Sequence, residues 1–410
     1  MRLLLIADGR SPIARRWLEM LLAGGIEVHL VSTFPCEQPA GVTSFKVMPV
    51  ALARWAGAST GGPAGAAPSR GATRRLVGRF RNTLLGLRYV IGPLTVGRYG
   101  GELAVFIQQV KPDLVHALRI PFEGLLASYT PITIPLVISI WGNDLTLHAG
   151  GSPWMAAATS RCLRRADALM ADAHRDLRLA LDWGLRPEAP RLAVPGSGGL
   201  DLDEVHRAIQ SSTGILDDLP QGAILVVNPR GFRPGSVRND TFFQSVSLVR
   251  QRLPQVVFAC PGMAGQSEAL GWVRRLGIGD SVRLLPLLPQ DQLWSLFGRA
   301  EVMVTPSQHD GVPNSLIEAM ACGSFPIAGD IESLREWITP GVNGLLVDPG
   351  DPQALAEAII HAINDQSLRA RAAELNARLV SGRADRARVQ EQVVGFYERL
   401  ISKGGLTQGK

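Results

Sequence analysis

The chain of 410 residues has few cysteines, few aromatic residues and no long apolar run. Its four cysteines, Cys36, Cys162, Cys260 and Cys322, lie far apart and form no C-x-x-C pair. Such spacing argues against a disulfide framework or a zinc ribbon and fits reduced thiols in a cytoplasm. No stretch approaches the ~18 apolar residues needed to cross a bilayer. The apolar start, Leu3 to Ala7, is cut by Asp8 and is too short for a signal-peptide core, so the expectation is a cytoplasmic protein. The first strand–helix turn, Ala7-Asp8-Gly9-Arg10-Ser11-Pro12, lacks G-x-G-x-x-G, which disfavours a dinucleotide-dependent dehydrogenase. Acids are missing from residues 51–100, where eight arginines account for more than the whole net charge of +6 and leave the rest at −2 (6 − 8). A nucleic-acid binder spreads positive charge along a groove with stacking aromatics; one local patch is not that.

What is present describes a globular protein, with 46% hydrophobic and 19% charged residues. Its length exceeds one ordinary core and predicts two domains of roughly 200 residues. Arg2 to Ala7, Ser11 to Ala23 and Ile26 to Ser32 read as strand, helix and strand, the opening of a Rossmann-like half. Further strands are expected at Asp113 to His116, Pro135 to Ile140 and Ala168 to Ala171. Their ends offer His116 and Arg119, then Trp141 to Asp144, then Asp172. Asp144 reads either as an acceptor for a substrate hydroxyl proton or as a turn cap. Residues 51–70 read as a mobile Ala/Gly/Pro-rich loop. The segment 73–91 then places Leu76, Phe80, Leu84, Leu87 and Ile91 on one helical stripe, with Arg74, Arg75, Arg79, Arg81 and Arg88 beside or opposite it. Two readings stand open: a basic helix lying on an anionic membrane surface, or a packed crossover helix whose arginines face water.

Pro195 to Gly199 is the expected linker. Asp201-Leu202-Asp203 spells a metal-binding D-x-D string but opens a helix, where acids favour the N-terminus for electrostatic reasons alone. Strands then restart at Ala223 to Asn228, Val256 to Ala259, Val282 to Leu285, Glu301 to Val304, Pro326 to Ala328 and Gly344 to Val347, alternating with helical segments. This predicts a second doubly wound domain. Gly262 closes its second strand, where a nucleoside base could lie.

The chemistry concentrates between Thr305 and Gly323. A buried strand runs into a polar loop and a helix expected to start at Pro313. Free N–H groups at Val312, Asn314 and Ser315, with the helix dipole, suit a phosphate, and Gly311 permits close approach. Asp310 and Glu318 flank that cradle. As acceptor-only groups they suit hydroxyls of a sugar or ribose, so the stretch reads as a sugar-nucleotide site.

The two acids with seven residues between them, followed by Ala319-Met320-Ala321-Cys322-Gly323, resemble the E-x7-E signature of glycosyltransferase family 4. Asn343 to Val347 and Asp351 to Leu355 resemble its usual ending. This chain departs from that pattern in carrying Asp310 where Glu is usual, and Trp141 where many relatives carry His. The resemblance implies an α/β GT-B fold: two Rossmann-like doubly wound domains facing a central cleft, with a C-terminal helix crossing back. It implies an acceptor-side domain over 1–198 with 51–100 as a mobile basic insertion, a nucleotide-sugar donor domain over 199–383, and a returning helix and tail over 384–410. The helix from Arg386 to Ile401 carries Val389, Val393, Phe396 and Leu400, and Ser402 to Lys410 is expected to fray. The implied activity is retaining transfer from a UDP-, GDP- or other nucleoside-diphosphate sugar to a glycan or lipid-linked acceptor, without a metal or other cofactor. Asp310, Glu318 and Asp144 are the candidate catalytic residues. Arg230 matches the family's first diphosphate-binding cation; Arg238 is the nearer stand-in for the second, with Arg233 the alternative. Gly9, Arg10, Ser11, Arg15, His116 and Trp141 are candidate acceptor-side contacts, each open to the plainer reading of a βα turn. A catalytically inactive nucleotide-sugar-binding protein and a GT-B epimerase or hydrolase are the alternatives.

Overall fold

The computed structural model describes residues 1–51, 53, 81–211, 214–217, 219, 222–233 and 235–407. The chain divides into two compact units, Met1–Gly198 with Gln390–Lys410, and Gly199–Val389. The fold is α/β of the GT-B type.

In the first unit the strands are β1 (Arg2–Ala7), β2 (Glu27–Ser32), β3 (Ser44–Val47), β4 (Leu114–Leu118), β5 (Leu136–Ile140), β6 (Ala168–Ala171) and β7 (Arg191–Ala193). They form one sheet in the order β3-β2-β1-β4-β5-β6-β7, every pair parallel. The principal helices are α1 (Pro12–Ala23), α2 (Arg81–Val96), α3 (Gly100–Val110), α4 (Pro153–Arg165) and α5 (His174–Asp182). Parallel strands covered on both faces are continuous apolar runs, and Leu3 to Ala7 and Leu136 to Ile140 are buried residue after residue. Ser11 starts α1 by accepting the Ala14 N–H at 3.4 Å, with Pro12 in the first turn.

The second unit opens with α6 (Leu202–Gln210), capped by the Asp201 carboxylate on the Glu204 N–H at 3.0 Å. Its strands are β8 (Ile224–Val227), β9 (Val256–Cys260), β10 (Val282–Leu284), β11 (Val302–Thr305), β12 (Phe325–Gly329) and β13 (Leu345–Val347). They too are all parallel, in the order β10-β9-β8-β11-β12-β13. The helices α7 (Asn239–Arg252), α8 (Ser267–Leu276), α9 (Gln290–Arg299), α10 (Asn314–Ala321), α11 (Pro352–Asn364) and α12 (Gln366–Ala384) accompany them. The final helix, α13 (Arg386–Thr407), joins the first unit from Gln390 onward.

In both sheets the winding direction reverses at the first strand. The crevices this opens lie beyond the carboxyl ends of β1 and β4 in one unit and of β8 and β11 in the other. Loops that leave adjacent strands in opposite directions gather at those two places.

The structure departs from the sequence expectations in several respects. β3 and β7 were not foreseen: they are three to four residues long at the sheet margins and only partly buried, so neither carries a strong apolar pattern. Helix α13 continues to Thr407, beyond the expected fraying point at Ser402. Arg74, Arg75 and Arg79 lie outside the described residues. Arg88 turns inward, its guanidinium 5.2 Å from the Phe34 ring centre and 4.3 Å from that of Phe122. It therefore serves neither open reading, facing neither water nor a membrane. Among the described residues no helix is long and apolar enough to cross a membrane.

His116 also corrects an expectation. It is fully buried in β4, with Nδ1 2.7 Å from the Tyr397 hydroxyl of α13 and Nε2 2.8 Å from the Ser139 hydroxyl of β5. The Trp17 and Tyr397 rings stand edge-on to it, each 5.7 Å away. A ring enclosed in this way is a packing element, not a ligand contact. Burial pushes its pKa down from 6.5 to about 3. An unfolded chain would protonate this imidazole as pH falls through 6.5 while the folded one stays neutral. Stability is thus present above 6.5 and is progressively lost as pH drops toward about 3. Tyr397→Phe leaves a buried imidazole nitrogen unpaired and is expected to cost about 1–3 kcal/mol in urea unfolding at neutral pH. Unchanged stability in that variant would contradict the assignment.

Candidate active site

The second unit's crevice is built from the loops after β8 and β11. After β8 the chain reads Asn228-Pro229-Arg230-Gly231-Phe232-Arg233. Asn228 is fully buried; its Oδ1 accepts the Arg230 N–H at 3.1 Å, and its amide donates to Asn239 Oδ1 at 3.2 Å. The Asn239 amide in turn donates to the Gly231 carbonyl at 2.6 Å. Two asparagines thus brace the turn that presents Arg230. The same loop is tied to the one after β11 by Arg238 N–H to Pro306 O at 3.0 Å and Gln308 N–H to Ser236 O at 2.8 Å. Gly329, at the end of β12, permits this arrangement, since a Cβ there would lie 2.0 Å from the Ser307 carbonyl.

Arg230 is buried and its guanidinium donates to Asp310 Oδ2. Asp310 also accepts from the Ser307 hydroxyl at 3.2 Å and from the Gly311 N–H at 3.1 Å, and its own carbonyl accepts from Ser333 Oγ at 2.9 Å. The Arg230 Nε is buried without any partner. A solvated loop arginine would not leave a donor in that condition, because a buried unmet N–H is costly.

Arg233 keeps solvent contact yet has its pKa lowered to about 10, first by the charge of Arg230 and then by loss of solvation, with Asp310 opposing. Both arginines are charged at neutral pH, with one carboxylate between them. The local excess is positive. Arg238 is placed differently: it makes a bidentate pair with Asp240, Nε to Oδ1 at 2.9 Å and Nη2 to Oδ2 at 2.8 Å. Its pKa is raised by that bond. Arg233, the alternative, is therefore the guanidinium brought beside Arg230.

The helix after β11 begins at Asn314. Pro313 is its cap in extended conformation (φ −61°, ψ 131°), so the helix starts one position later than expected. Gly311 donates its N–H to Asp310 and proline has none, which leaves Val312, Asn314 and Ser315, the three foreseen, as the donors of the cradle. The Ser315 hydroxyl is buried with no hydrogen-bond partner. Glu318, one turn further, is 3% exposed. Gly262 holds a left-handed turn (φ 76°) after β9, its carbonyl accepting the Gln266 amide at 2.9 Å.

The first-unit candidates are largely engaged in structure. Asp144 is fully buried and accepts from Arg119 at 3.0 Å, the Ile120 N–H at 2.9 Å and the Trp141 N–H at 3.2 Å. All three donors hold the Asp144 carboxylate in the fold, where it fixes the Arg119 side chain. Arg10 chelates Asp8 (3.1 Å on both contacts) and lies 3.8 Å over the Phe34 ring. Arg15 donates to the Gly9 carbonyl at 2.9 Å, the Gly9 N–H donates to the Ser32 hydroxyl at 3.1 Å, and Ser11 is the helix cap. Trp141 is half-buried, packed near Gly196. Glu123, which sequence reasoning missed, is buried and accepts from the Thr33 hydroxyl at 2.6 Å. Its signal was a lone acid in the apolar run Ile120-Pro121-Phe122-Glu123-Gly124-Leu125. Burial pushes its pKa up to about 7, against the opposing pull of Arg119.

Comparisons with known proteins address the fold and the family. Residues 238–378 match the family of "Glycosyl transferases group 1", and residues 99–173 match "Glycosyl transferase 4-like". A D-inositol 3-phosphate glycosyltransferase of Streptosporangium roseum is 28% identical over 204 residues, covering 47% of this chain and 46% of the relative. This chain therefore spans less than half the length of that curated relative. Sucrose-phosphate synthase from Thermosynechococcus elongatus superposes with a TM-score of 0.73 at 18% identity, over 98% of this chain and 100% of that one. HepE from Anabaena in complex with UDP gives 0.67 at 17% identity, over 97% and 100%. At such identity the structures speak for the fold, and the family models speak for descent. Each unit thus carries a stretch similar to the glycosyltransferases, residues 238–378 to those of group 1 and residues 99–173 to the family 4-like ones.

Proposed function

We propose that this protein transfers a sugar from a nucleoside-diphosphate sugar to an acceptor hydroxyl with retention at the anomeric carbon. The observation that carries this reading is the pair Arg230 and Arg233 beside Asp310, with the Arg230 Nε unpartnered, in front of the loop that leads into a helix whose Ser315 hydroxyl is also unpartnered. That is a cradle for a diphosphate. A planar guanidinium holds phosphate oxygens in a bidentate manner, and a helix N-terminus adds N–H donors and a favourable dipole. As the glycosidic bond to phosphate breaks, negative charge grows on the leaving oxygen, and fixed cations and amides stabilise it without reorganising. Metal would then not be required for the leaving group. Glu318 accepts from the ribose hydroxyls, and Asp310 accepts from a sugar hydroxyl. The solved HepE complex with UDP makes a uridine donor the first to test.

The acceptor is taken to be a glycan or lipid-linked hydroxyl. The basic segment that motivates a lipid lies mostly outside the described residues.

Four outcomes check this proposal. Calorimetric titration with UDP, GDP, ADP and dTDP is expected to show one preferred diphosphate, bound equally with and without chelator. Binding should weaken about tenfold or more in Arg230→Gln and in Glu318→Ala. Absence of binding, or indifference to both changes, overturns the donor site. Arg233→Gln is expected to weaken diphosphate binding by a similar factor, and Arg238→Gln by less than about twofold, because Asp240 already neutralises it; the reverse order would restore Arg238 as the second cation. Asp310→Asn releases Arg230 from its carboxylate. Diphosphate affinity should hold or rise while sugar transfer falls by about a hundredfold or more, as for loss of a group acting on the reacting sugar. The anomeric proton coupling of the first-formed product, read by NMR, decides retention.

A further inference from the structure

The first unit carries its own unmet positive charge at the crevice beyond β1 and β4. Arg88 and Arg119 both hold a buried Nε with no hydrogen-bond partner. Of the arginines gathered there, Arg10 is neutralised by Asp8, and Arg119 donates to Asp144. Among the described residues no carboxylate stands within ion-pair distance of Arg88, which is walled by the Phe34 and Phe122 rings. Aromatic faces stabilise a cation but leave its in-plane N–H donors unused. The one remaining acid is Glu123, whose carboxyl is committed to Thr33.

The backbone between these groups is strained. Arg119 (φ 89°) and Phe122 (φ 72°) both take left-handed conformations that residues with side chains rarely adopt. Two such residues within four positions, at the switch point of a parallel sheet, mark a segment held for what it presents and not for its own ease.

We propose that this cluster binds an oxyanion carried by the acceptor, a phosphate or carboxylate group, with Arg88 as its principal ligand and Arg119 Nε as the second donor. Naming the ligand an acceptor rests on the glycosyl-transfer reading; the oxyanion site itself does not. Guanidinium groups select such oxygens through paired, charge-assisted N–H bonds, and the aromatic walls exclude the water that would otherwise satisfy Arg88. Glu123 adds a pH dependence. The charged groups around it are Arg119 from its own segment, Asp8 from the turn after β1 and Arg88 from α2, with Thr33 after β2 as its hydrogen-bond donor. Once ionised it adds negative charge beside both arginines, so oxyanion affinity falls as pH rises through neutrality.

The test uses the full-length protein saturated with UDP, so that the second unit's cradle is filled. It is titrated with sn-glycerol 3-phosphate, glycerate and uncharged glycerol. Phosphatidylcholine vesicles with and without phosphatidate form the lipid arm. The expected result is binding of at least one of the charged ligands and none of glycerol, weakened about tenfold or more in Arg88→Gln with UDP affinity unchanged. Which ligand binds distinguishes phosphate from carboxylate, and soluble from lipid-borne. Between about one unit below and one unit above pH 7, affinity should fall in the native protein more than in Glu123→Gln, which keeps an acceptor for Thr33 but cannot ionise. The proposal is overturned if no charged ligand binds, if Arg88→Gln binds as well as the native protein, or if binding is lost only in Arg230→Gln. Failure of UDP itself to bind would instead strike the donor reading, and the same titrations on the UDP-free protein would still decide this one.

Discussion

Parallel pairing is the constraint from which the rest of this structure follows. Because every strand in both sheets runs the same way, every connection must cross over a face. Every strand therefore ends on the same edge of its sheet. Where the winding reverses, two adjacent strands send their loops apart, and a crevice opens that no helix fills. In the second unit that crevice holds Arg230, Arg233 and the start of the Asn314–Ala321 helix. In the first it holds Arg10, Arg88, Arg119 and Glu123. The two clusters are chemically alike: in each, arginines outnumber the carboxylates that neutralise them, and a buried Nε has no partner.

The ion pair of Arg230 with Asp310 shows how such a site can wait for a ligand without becoming unstable. A buried guanidinium with no counter-charge would cost several kcal/mol. The shorter aspartate, held from three sides by Ser307, the Gly311 N–H and Arg230, supplies that counter-charge while leaving the Arg230 Nε uncommitted. A ligand with two phosphates then adds charge where the balance is already positive. Asp310 thus balances an arginine and accepts the Ser307 hydroxyl at the same time. A carboxylate can perform both because it has more acceptor sites than any one donor uses.

Much of this was legible in the sequence, for reasons that can be named. The strands Arg2–Ala7, Leu136–Ile140 and Phe325–Gly329 were legible because they are apolar and buried almost throughout. The string from Thr305 to Gly323 is legible because its strand, loop and helix are contiguous. Arrangements that depend on distant residues were not legible. His116 offered itself as a cleft histidine until its partner Tyr397, 281 residues away, enclosed it. Asp144 had the composition of a base, but three donors from the backbone and from Arg119 occupy it. The choice between Arg233 and Arg238 turned on Asp240, only two residues past Arg238. That clue was present, but its weight depended on the helix that places the two side chains together. The edge strands Ser44–Val47 and Arg191–Ala193 escaped because partial burial leaves little apolar pattern to read.

The last helix has a consequence for how the molecule is made. Domains generally fold as units while the chain emerges from the ribosome, N-terminal portions first. Here the first unit is the earlier one to be synthesised but cannot be finished early. Its buried His116 meets the Tyr397 hydroxyl, and the Met20 carbonyl accepts from Gln390 at 2.5 Å, only after the whole second unit has been translated. The second unit, contiguous from Gly199 to Val389, has no such dependence. The order of completion is therefore the reverse of the order of synthesis. The half-built sheet must persist with His116 open until Tyr397, one of the buried residues of the last helix, arrives to close over it.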